Sequence, residues 1–356
     1  MAPDQPVPYE YPADAPPGFR GDERLRALLD WVRPQLGPGT LTVAPASSDA
    51  SFRRYFRIGL GDRSWIVMDA PPAREDCRPF VRIAAGLREA GLNVPAVLAS
   101  DFDRGFLLLS DLGTELYLDA LDERRVERLY GDALGALVVL QTCVDPAALE
   151  LPPYDRALLG RELELFPEWF LGRHLGLDLD ADGRGLLERS FEALIGAALE
   201  QPQVCVHRDY HSRNLLVTPT HNPGILDFQD AVAGPVTYDL VSLLRDAYVS
   251  WPRARVEHWV LGYHRLALQS GILRAEDEAG FLRWFDLMGL QRHLKVVGIF
   301  ARLYHRDGKA RYLADIPRVF GYLVEVTGRH PEFAALHEFL RTRVAPAMQR
   351  VPAPRR

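Results

Sequence analysis

The residues best suited to chemistry lie between positions 203 and 234, in the stretches VCVHRDYHSRNLLV and GILDFQD. Asp209 falls in a loop after an apolar strand, Asn214 follows five residues later, and Asp227 arrives 18 residues after Asp209 at the end of the next short strand pair. A carboxylate and an amide on one turn of chain, with a second carboxylate close behind, suit phosphoryl transfer. That reaction passes through a loose, highly charged transition state, so a protein mainly positions groups and neutralises charge. One carboxylate must meet the attacking hydroxyl, and one or two oxygen ligands must hold magnesium on the phosphates. Asp209 is the expected proton acceptor, and Asn214 and Asp227 the expected metal ligands.

The spacing matches the His-Arg-Asp-x4-Asn and Asp-Phe-Gly pattern of protein kinases, with Gln229 in place of the Gly. Any one of these residues alone would read equally well as a turn carboxylate or a left-handed Asn. Their combination carries the signal. His207 is expected to support the loop by packing and hydrogen bonding. Asp239, in the first turn of a helix beginning near Tyr238, is expected to brace the catalytic loop or simply to complement the helix dipole.

The elements that must position these residues fall into two patterns. From position 40 to 110 the signals are mainly those of short strands bounded by turn residues, interrupted by one helical stretch over 78–90. After Asp111 the helical period dominates: 123–142, 156–175, 186–200, 238–248, 256–269, 276–304 and 332–343. The expected organisation is a flexible arm over 1–20, a β-rich nucleotide-binding lobe over 21–112, a helical lobe with catalytic loop and acceptor site over 113–345, and a tail over 346–356. In the first lobe, the turn Ser48-Asp49-Ala50-Ser51-Phe52 offers backbone N–H groups for phosphate contact. The third strand holds no Lys, the usual partner of the α- and β-phosphates. It reads WIVMDA, and the chain's only lysines are Lys295 and Lys309. Arg53, Arg54, Arg57 and Arg63 are the nearby cations.

Composition bounds the rest. With 356 residues, 47% apolar and 25% charged, the chain can fill two cores. A net charge of −6 excludes a general nucleic-acid binder. No apolar run is long enough to insert in a membrane. The Pro-rich, acidic N-terminus lacks the apolar region of a signal peptide. Cys77, Cys143 and Cys205 form neither a zinc spacing nor a disulfide framework. A cytoplasmic location is expected, with no obligate protein partner.

HRDYHSRN and ILDFQD resemble the signature motifs of the aminoglycoside phosphotransferase and choline kinase-like superfamily. More narrowly, SDASFRRYFR, VMDAPP, RGFLLLSDLG, LFPEWFL, DFQDAVAGPVTYDL and QRHLKVVGIFARL resemble the anomeric sugar kinases of bacterial cell-wall recycling. That resemblance covers about residues 20–345. It implies an α+β, bilobal protein-kinase-like fold, ATP with Mg2+, and phosphorylation of N-acetylmuramate and N-acetylglucosamine at the C1 hydroxyl. It also implies that Leu109, Asp111 and Leu112 lie at the adenine hinge, and that the missing third-strand Lys is shared within the narrower group. Another acceptor, such as an aminoglycoside or choline, and a nucleotide-binding pseudokinase remain as alternatives.

Charge separates the acceptors. Between positions 281 and 320 stand eight basic and three acidic residues, which favours an anionic acceptor over a polycationic aminoglycoside. The carboxylate of N-acetylmuramate calls for a bidentate Arg, with Arg213 and Arg292 as candidates. Trp169 and Trp284 are candidates for sugar stacking or for the core, and Glu162 and Glu164 for sugar hydroxyls or surface charge.

Overall fold

In the computed structural model, residues 9–10, 21–47 and 53–351 are described. The expected arm over 1–20, apart from Tyr9–Glu10, and the Ser48–Phe52 turn lie outside them. The chain divides into two compact units, one of residues 1–115 and 216–229, the other of 116–215 and 230–356.

The first unit is built on a six-stranded sheet. In chain order the strands are β1 (Tyr9–Glu10), β2 (Leu41–Ser47), β3 (Arg54–Leu60), β4 (Arg63–Asp69), β5 (Val97–Asp101) and β6 (Phe106–Ser110), arranged β1-β2-β3-β4-β6-β5. All pairs are antiparallel except β1–β2. Helix α2 (Arg78–Glu89) separates β4 from β5 in sequence, so β5 lands at the edge and β6 returns between them. Helix α1 (Glu23–Leu36) buries Leu25, Leu28, Leu29, Val32 and Leu36, one face at helical spacing. That face packs on the alternating residues Val43, Phe56, Ile58, Trp65, Val67, Phe106 and Leu108. Each such buried side chain is worth about 1.5–3 kcal/mol.

A buried carboxylate fixes how α1 joins this sheet. Asp69, at the end of β4, is fully buried and accepts from Arg24 Nε at 2.6 Å and Arg54 Nε at 2.9 Å. Arg54 also binds Asp22, whose carboxylate caps α1 at the N–H groups of Arg24 and Leu25. Gly105 approaches the same strand end. Its φ is +72°, and a Cβ there would sit 1.8 Å from the Ala70 carbonyl oxygen.

The second unit is helical, as the periodicity predicts. Its helices are α3 (Tyr117–Ala120), α4 (Val126–Cys143), α5 (Arg156–Leu163), α6 (Ala181–Leu199), α7 (Tyr238–Leu244), α8 (Arg253–Gln269), α9 (Glu278–Asp307), α10 (Ile316–Arg329), α11 (Ala334–Phe339) and α12 (Ala345–Arg350). The unit differs from the sequence reading at several points. Helix α12 stands where the tail over 346–356 was expected to begin. The helix expected over 332–343 is a 3-10 turn, Pro331–Phe333, then α11 and a π-helical stretch, Leu340–Val344. The helix expected over 156–175 is α5 followed by a π-helical stretch, Phe166–His174, with Pro167 at its start. Helix α10 was not anticipated; Pro317 stands in its first turn, where proline is tolerated.

Strand β7 (Gln203–Val206) pairs antiparallel with β10 (Val232–Pro235), in the register Val206–Val232 to Gln203–Pro235. The short strands β8 (Leu215–Leu216) and β9 (Gly224–Ile225) lie between them in sequence. Helix α9 runs against the π-helical stretch so closely that a Cβ on Gly298 would lie 2.5 Å from the backbone carbonyl carbon and oxygen of Leu165. Gly298→Ala should therefore force α9 away from that backbone. We expect a loss of about 1–3 kcal/mol, read as a lower urea midpoint at unchanged slope.

Candidate active site

The catalytic loop hangs from the end of β7, and the β7–β10 pairing brings the start of α7 beneath it. After Pro235 the chain turns through Val236 and Thr237, where Gln201 accepts the Thr237 hydroxyl at 2.7 Å and Gln141 donates to the Val236 carbonyl at 3.0 Å. Asp239 then stands in the first turn of α7, fully buried. Its two oxygens accept the N–H groups of His207 at 2.6 Å and Arg208 at 3.0 Å. Burial pushes the Asp239 carboxyl up to about 7, while the two N–H donors pull it down. Arg208 is held in the left-handed region at φ +75°. For a non-glycine residue this costs about 1–3 kcal/mol, which the surrounding contacts must offset.

The Asp209 backbone is fixed on both sides. Its N–H donates to His207 Nδ1 at 3.2 Å, and its carbonyl accepts Asn214 Nδ2 at 3.0 Å. The Asn214 bond orients that amide, nitrogen toward the loop carbonyl and oxygen opposite. Ser212 N–H donates to buried Asp246 at 2.9 Å, anchoring the far end of the loop to the segment after α7. The Asp209 side chain is 45% exposed, so its carboxylate can meet a hydroxyl from outside.

Cations converge on that carboxylate. Arg292, buried in α9, lies 4.0 Å from Asp209 Oδ1, as does His211 Nε2. Desolvation raises the Asp209 carboxyl, but His211, Lys295, Arg292 and Arg208 outweigh it and hold it below the usual value. Burial pulls His211 itself below its ordinary value, so at neutral pH the permanent cations carry the effect.

Glu162 organises those cations. It is buried at 6% exposure, binds Lys295 Nζ at 2.9 Å, and also takes Arg208 Nη2 and the Tyr154 hydroxyl. Lys295 donates further to the Tyr238 hydroxyl at 2.9 Å. Desolvation raises the Glu162 carboxyl, and Lys295 and Arg208 bring it below its usual value, so it stays ionised. Glu162 is therefore committed to protein cations and does not serve as a sugar ligand; Glu164 is exposed.

The other expected residues are placed as follows. Arg213 lies on the catalytic loop with its guanidinium 3.8 Å above the Tyr248 ring. Trp169, in the π-helical stretch, lies under the Arg173 guanidinium at 4.2 Å. Trp284 donates its indole N–H to Glu200 at 2.7 Å and is only half-buried, which makes it neither a core residue nor a free sugar platform. In the first unit, Asp227 is exposed, left-handed at φ +62°, and accepts Gln229 Nε2 at 2.7 Å. Leu109 is a buried ladder residue of β6, paired with Ile66 and Val97. Asp111 accepts Arg57 at 2.6 and 3.1 Å, and Arg57 also donates to the Gly113 carbonyl, so the chain around Leu112 is fixed.

The four arginines near the Lys-free strand are engaged. Arg54 binds Asp22 and Asp69, Arg57 binds Asp111, Arg53 lies 3.5 Å from Glu75, and Arg63 stacks on Trp65 at 4.6 Å. Sequence reasoning missed Lys295, Asp246, Ser242 and Tyr238 as parts of the site, and misread Glu162. The one available signal was that Lys295 is one of two lysines in the chain.

Magnesium on a nucleotide needs one or two protein oxygens, the phosphates and waters completing the shell. Among the described residues no group of three or more His, Cys, Asp or Glu converges as a metal cage. An exposed Asp227 carboxylate and an oriented Asn214 amide are oxygen donors of the kind that sparse demand requires. Among the described residues no helix is long and apolar enough to cross a membrane.

Comparison with known proteins agrees with this chemistry. The model of a phosphotransferase enzyme family, APH, matches residues 42–282. The chain is 53% identical over 325 residues to an N-acetylmuramate/N-acetylglucosamine kinase of Pseudomonas aeruginosa, covering 89% of this chain and 95% of that one. It is 42% identical to the enzyme of the same name from Neisseria meningitidis, with the same coverages of 89% and 95%. Among solved structures it resembles the GDP complex of aminoglycoside 2'-phosphotransferase-IIIa, with TM-score 0.58, 14% identity, and coverage of 83% of this chain and 97% of that one. The choline kinase LicA of Streptococcus pneumoniae aligns at TM-score 0.56 and 11% identity, covering 84% and 98%. At those identities the likeness speaks to the fold, which is the kinase-like α+β fold expected from the motifs. The chain belongs to the phosphotransferase enzyme family.

Proposed function

We propose that this chain is an ATP- and Mg2+-dependent sugar kinase that phosphorylates the C1 hydroxyl of N-acetylmuramate and N-acetylglucosamine, in the cytoplasmic recycling of peptidoglycan sugars. The observation that carries the phosphotransfer reading is the Asp209 carboxylate, exposed on a loop locked by Asp239 and flanked by buried cations. The similarity to N-acetylmuramate/N-acetylglucosamine kinases supports the sugar acceptor. The cations beside Asp209 also favour a neutral or anionic acceptor over a polycation, whose approach they oppose.

In this reading Asp209 accepts a hydrogen bond from the C1 hydroxyl and aims the oxygen at the γ-phosphorus. The P–O bond to ADP breaks as the new one forms, and the hydroxyl proton passes to Asp209. A carboxylate held below its ordinary pKa is a weak base, which fits a loose transition state in which the nucleophile loses its proton late. Arg292 and Lys295 keep Asp209 ionised. Asn214 and Asp227, assigned from the two motifs, would hold magnesium, which neutralises phosphate charge when bound. The expected nucleotide contacts are Ser48–Phe52 for the phosphates and Leu109, Asp111 and Leu112 for the base.

Incubation with ATP, Mg2+ and each sugar should give an acid-labile 1-phosphate by phosphorus NMR. Phosphate at C6, or ADP release only with an aminoglycoside or choline, would refute the reading; nucleotide binding without turnover on any acceptor would mark a pseudokinase. Asp209→Asn should lower kcat about 100- to 10,000-fold, with the KM for ATP little altered. Near-normal turnover would remove Asp209 from its role. Arg292→Met takes a cation from beside a carboxylate, so the Asp209 pKa must rise and the ionised form must be lost at higher pH. The acidic limb of the kcat/KM pH profile should move to higher pH.

A further inference from the structure

Sequence alone offers Arg213 and Arg292 equally as partners for an anionic acceptor, and the structure separates them. Arg292 is 5% exposed, donates from Nη2 to Ser242 Oγ at 2.6 Å, and stands 4.0 Å from Asp209. That Nη2 faces the catalytic carboxylate, and the buried Arg292 Nε has no hydrogen-bond partner among the described residues. A second carboxylate brought to it would compete with Asp209 for the same cation.

Arg213 has the opposite character. It follows Asp209 by four residues on the same loop and is half-buried. Its guanidinium carbon lies 3.8 Å from the Tyr248 ring centre and 5.9 Å from that of Tyr312. Phe300 of α9 joins the two tyrosines, 6.0 Å from Tyr248 and 5.4 Å from Tyr312, so three segments of the helical unit build the aromatic platform. Stacking fixes the guanidinium plane and uses its face, which leaves the N–H edge as the binding element. Among the described residues no carboxylate, carbonyl or hydroxyl takes those N–H groups. The platform also leads back to the reacting atoms: Tyr248 meets the His211 ring edge-on at 5.4 Å, and His211 lies 4.0 Å from Asp209.

A pre-oriented, ion-pair-free guanidinium edge on the catalytic loop is built to receive a planar anion through two parallel hydrogen bonds. We infer that Arg213 is the acceptor-carboxylate receptor, the residue that admits N-acetylmuramate, with its lactyl carboxylate, beside N-acetylglucosamine, which lacks one. The inference rests on the sugar-kinase reading above.

The experiment is a comparison of kcat and KM for both sugars and for ATP in wild type, Arg213→Met and Arg213→Lys. The Met variant keeps a stem to cover Tyr248 and loses the charge and fork; the Lys variant keeps the charge and loses the fork. The ratio of kcat/KM for N-acetylmuramate to that for N-acetylglucosamine should fall about 10- to 100-fold in Arg213→Met, through the KM for N-acetylmuramate. Arg213→Lys should recover only part of it. Turnover of N-acetylglucosamine reports that each variant is folded. A ratio within twofold of wild type overturns the assignment; so does a loss shared by both sugars with a raised KM for ATP, which gives the guanidinium to the nucleotide. If Arg213→Met fails to fold, an unchanged ratio in Arg213→Lys overturns it equally. Wild type inactive on both sugars defeats the sugar-kinase reading itself, a distinct result.

Discussion

A buried carboxylate holds the start of the catalytic loop in place, as Asp246 holds its far end. Asp239 accepts two consecutive backbone N–H groups, those of His207 and Arg208, immediately before Asp209. Backbone donors in a dry interior must be paired, and an unpaired one costs about 1–3 kcal/mol. Asp239 satisfies two such donors at a point where the left-handed Arg208 breaks the β7 ladder. The β7–β10 register, the Thr237–Gln201 bond and the start of α7 all converge on putting that carboxylate there. Without it two backbone donors immediately before Asp209 would lose their partner.

Around this anchor the protein buries charge, which is costly unless the charges satisfy one another. Glu162 serves Arg208 and Lys295 together, and Lys295 and Arg292 in turn act on Asp209. The arrangement leaves Asp209 as the carboxylate exposed to a hydroxyl, and leaves the cations fixed. Fixed cations beside a reacting carboxylate stabilise its ionised state without rearrangement during the reaction.

The first unit shows a parallel solution. Its Lys-free strand, β4, ends in Asp69 where a kinase usually offers a Lys nearby, and that acid is filled by Arg24 and Arg54. The strand's charged residue thus tethers the helix to the sheet. Arg57 likewise holds Asp111 and the Gly113 carbonyl, giving the chain after β6 a fixed course.

What the sequence determined by itself was the motif and most of the elements that carry it. Asp209, Asn214 and Asp227 are legible because phosphoryl transfer needs oxygen donors at close spacing along the chain, and short strands and long helices are legible because each has its own period. The π-helical turn at Phe166–His174 was not, since it depends on close packing against α9; α10 was missed although its buried Ile316, Val319, Phe320, Leu323 and Val326 recur at helical spacing. The tertiary structure alone decided the use of the charges. Eight cations between 281 and 320 look alike in sequence, yet burial and neighbours set Arg292 beside Asp209, pair Lys295 with Glu162, and leave others at the surface. Glu162, Arg213 and Tyr248 acquire meaning in the same way. An ionic partner is defined by distance and by the loss of water, and neither is written in the order of residues along a chain.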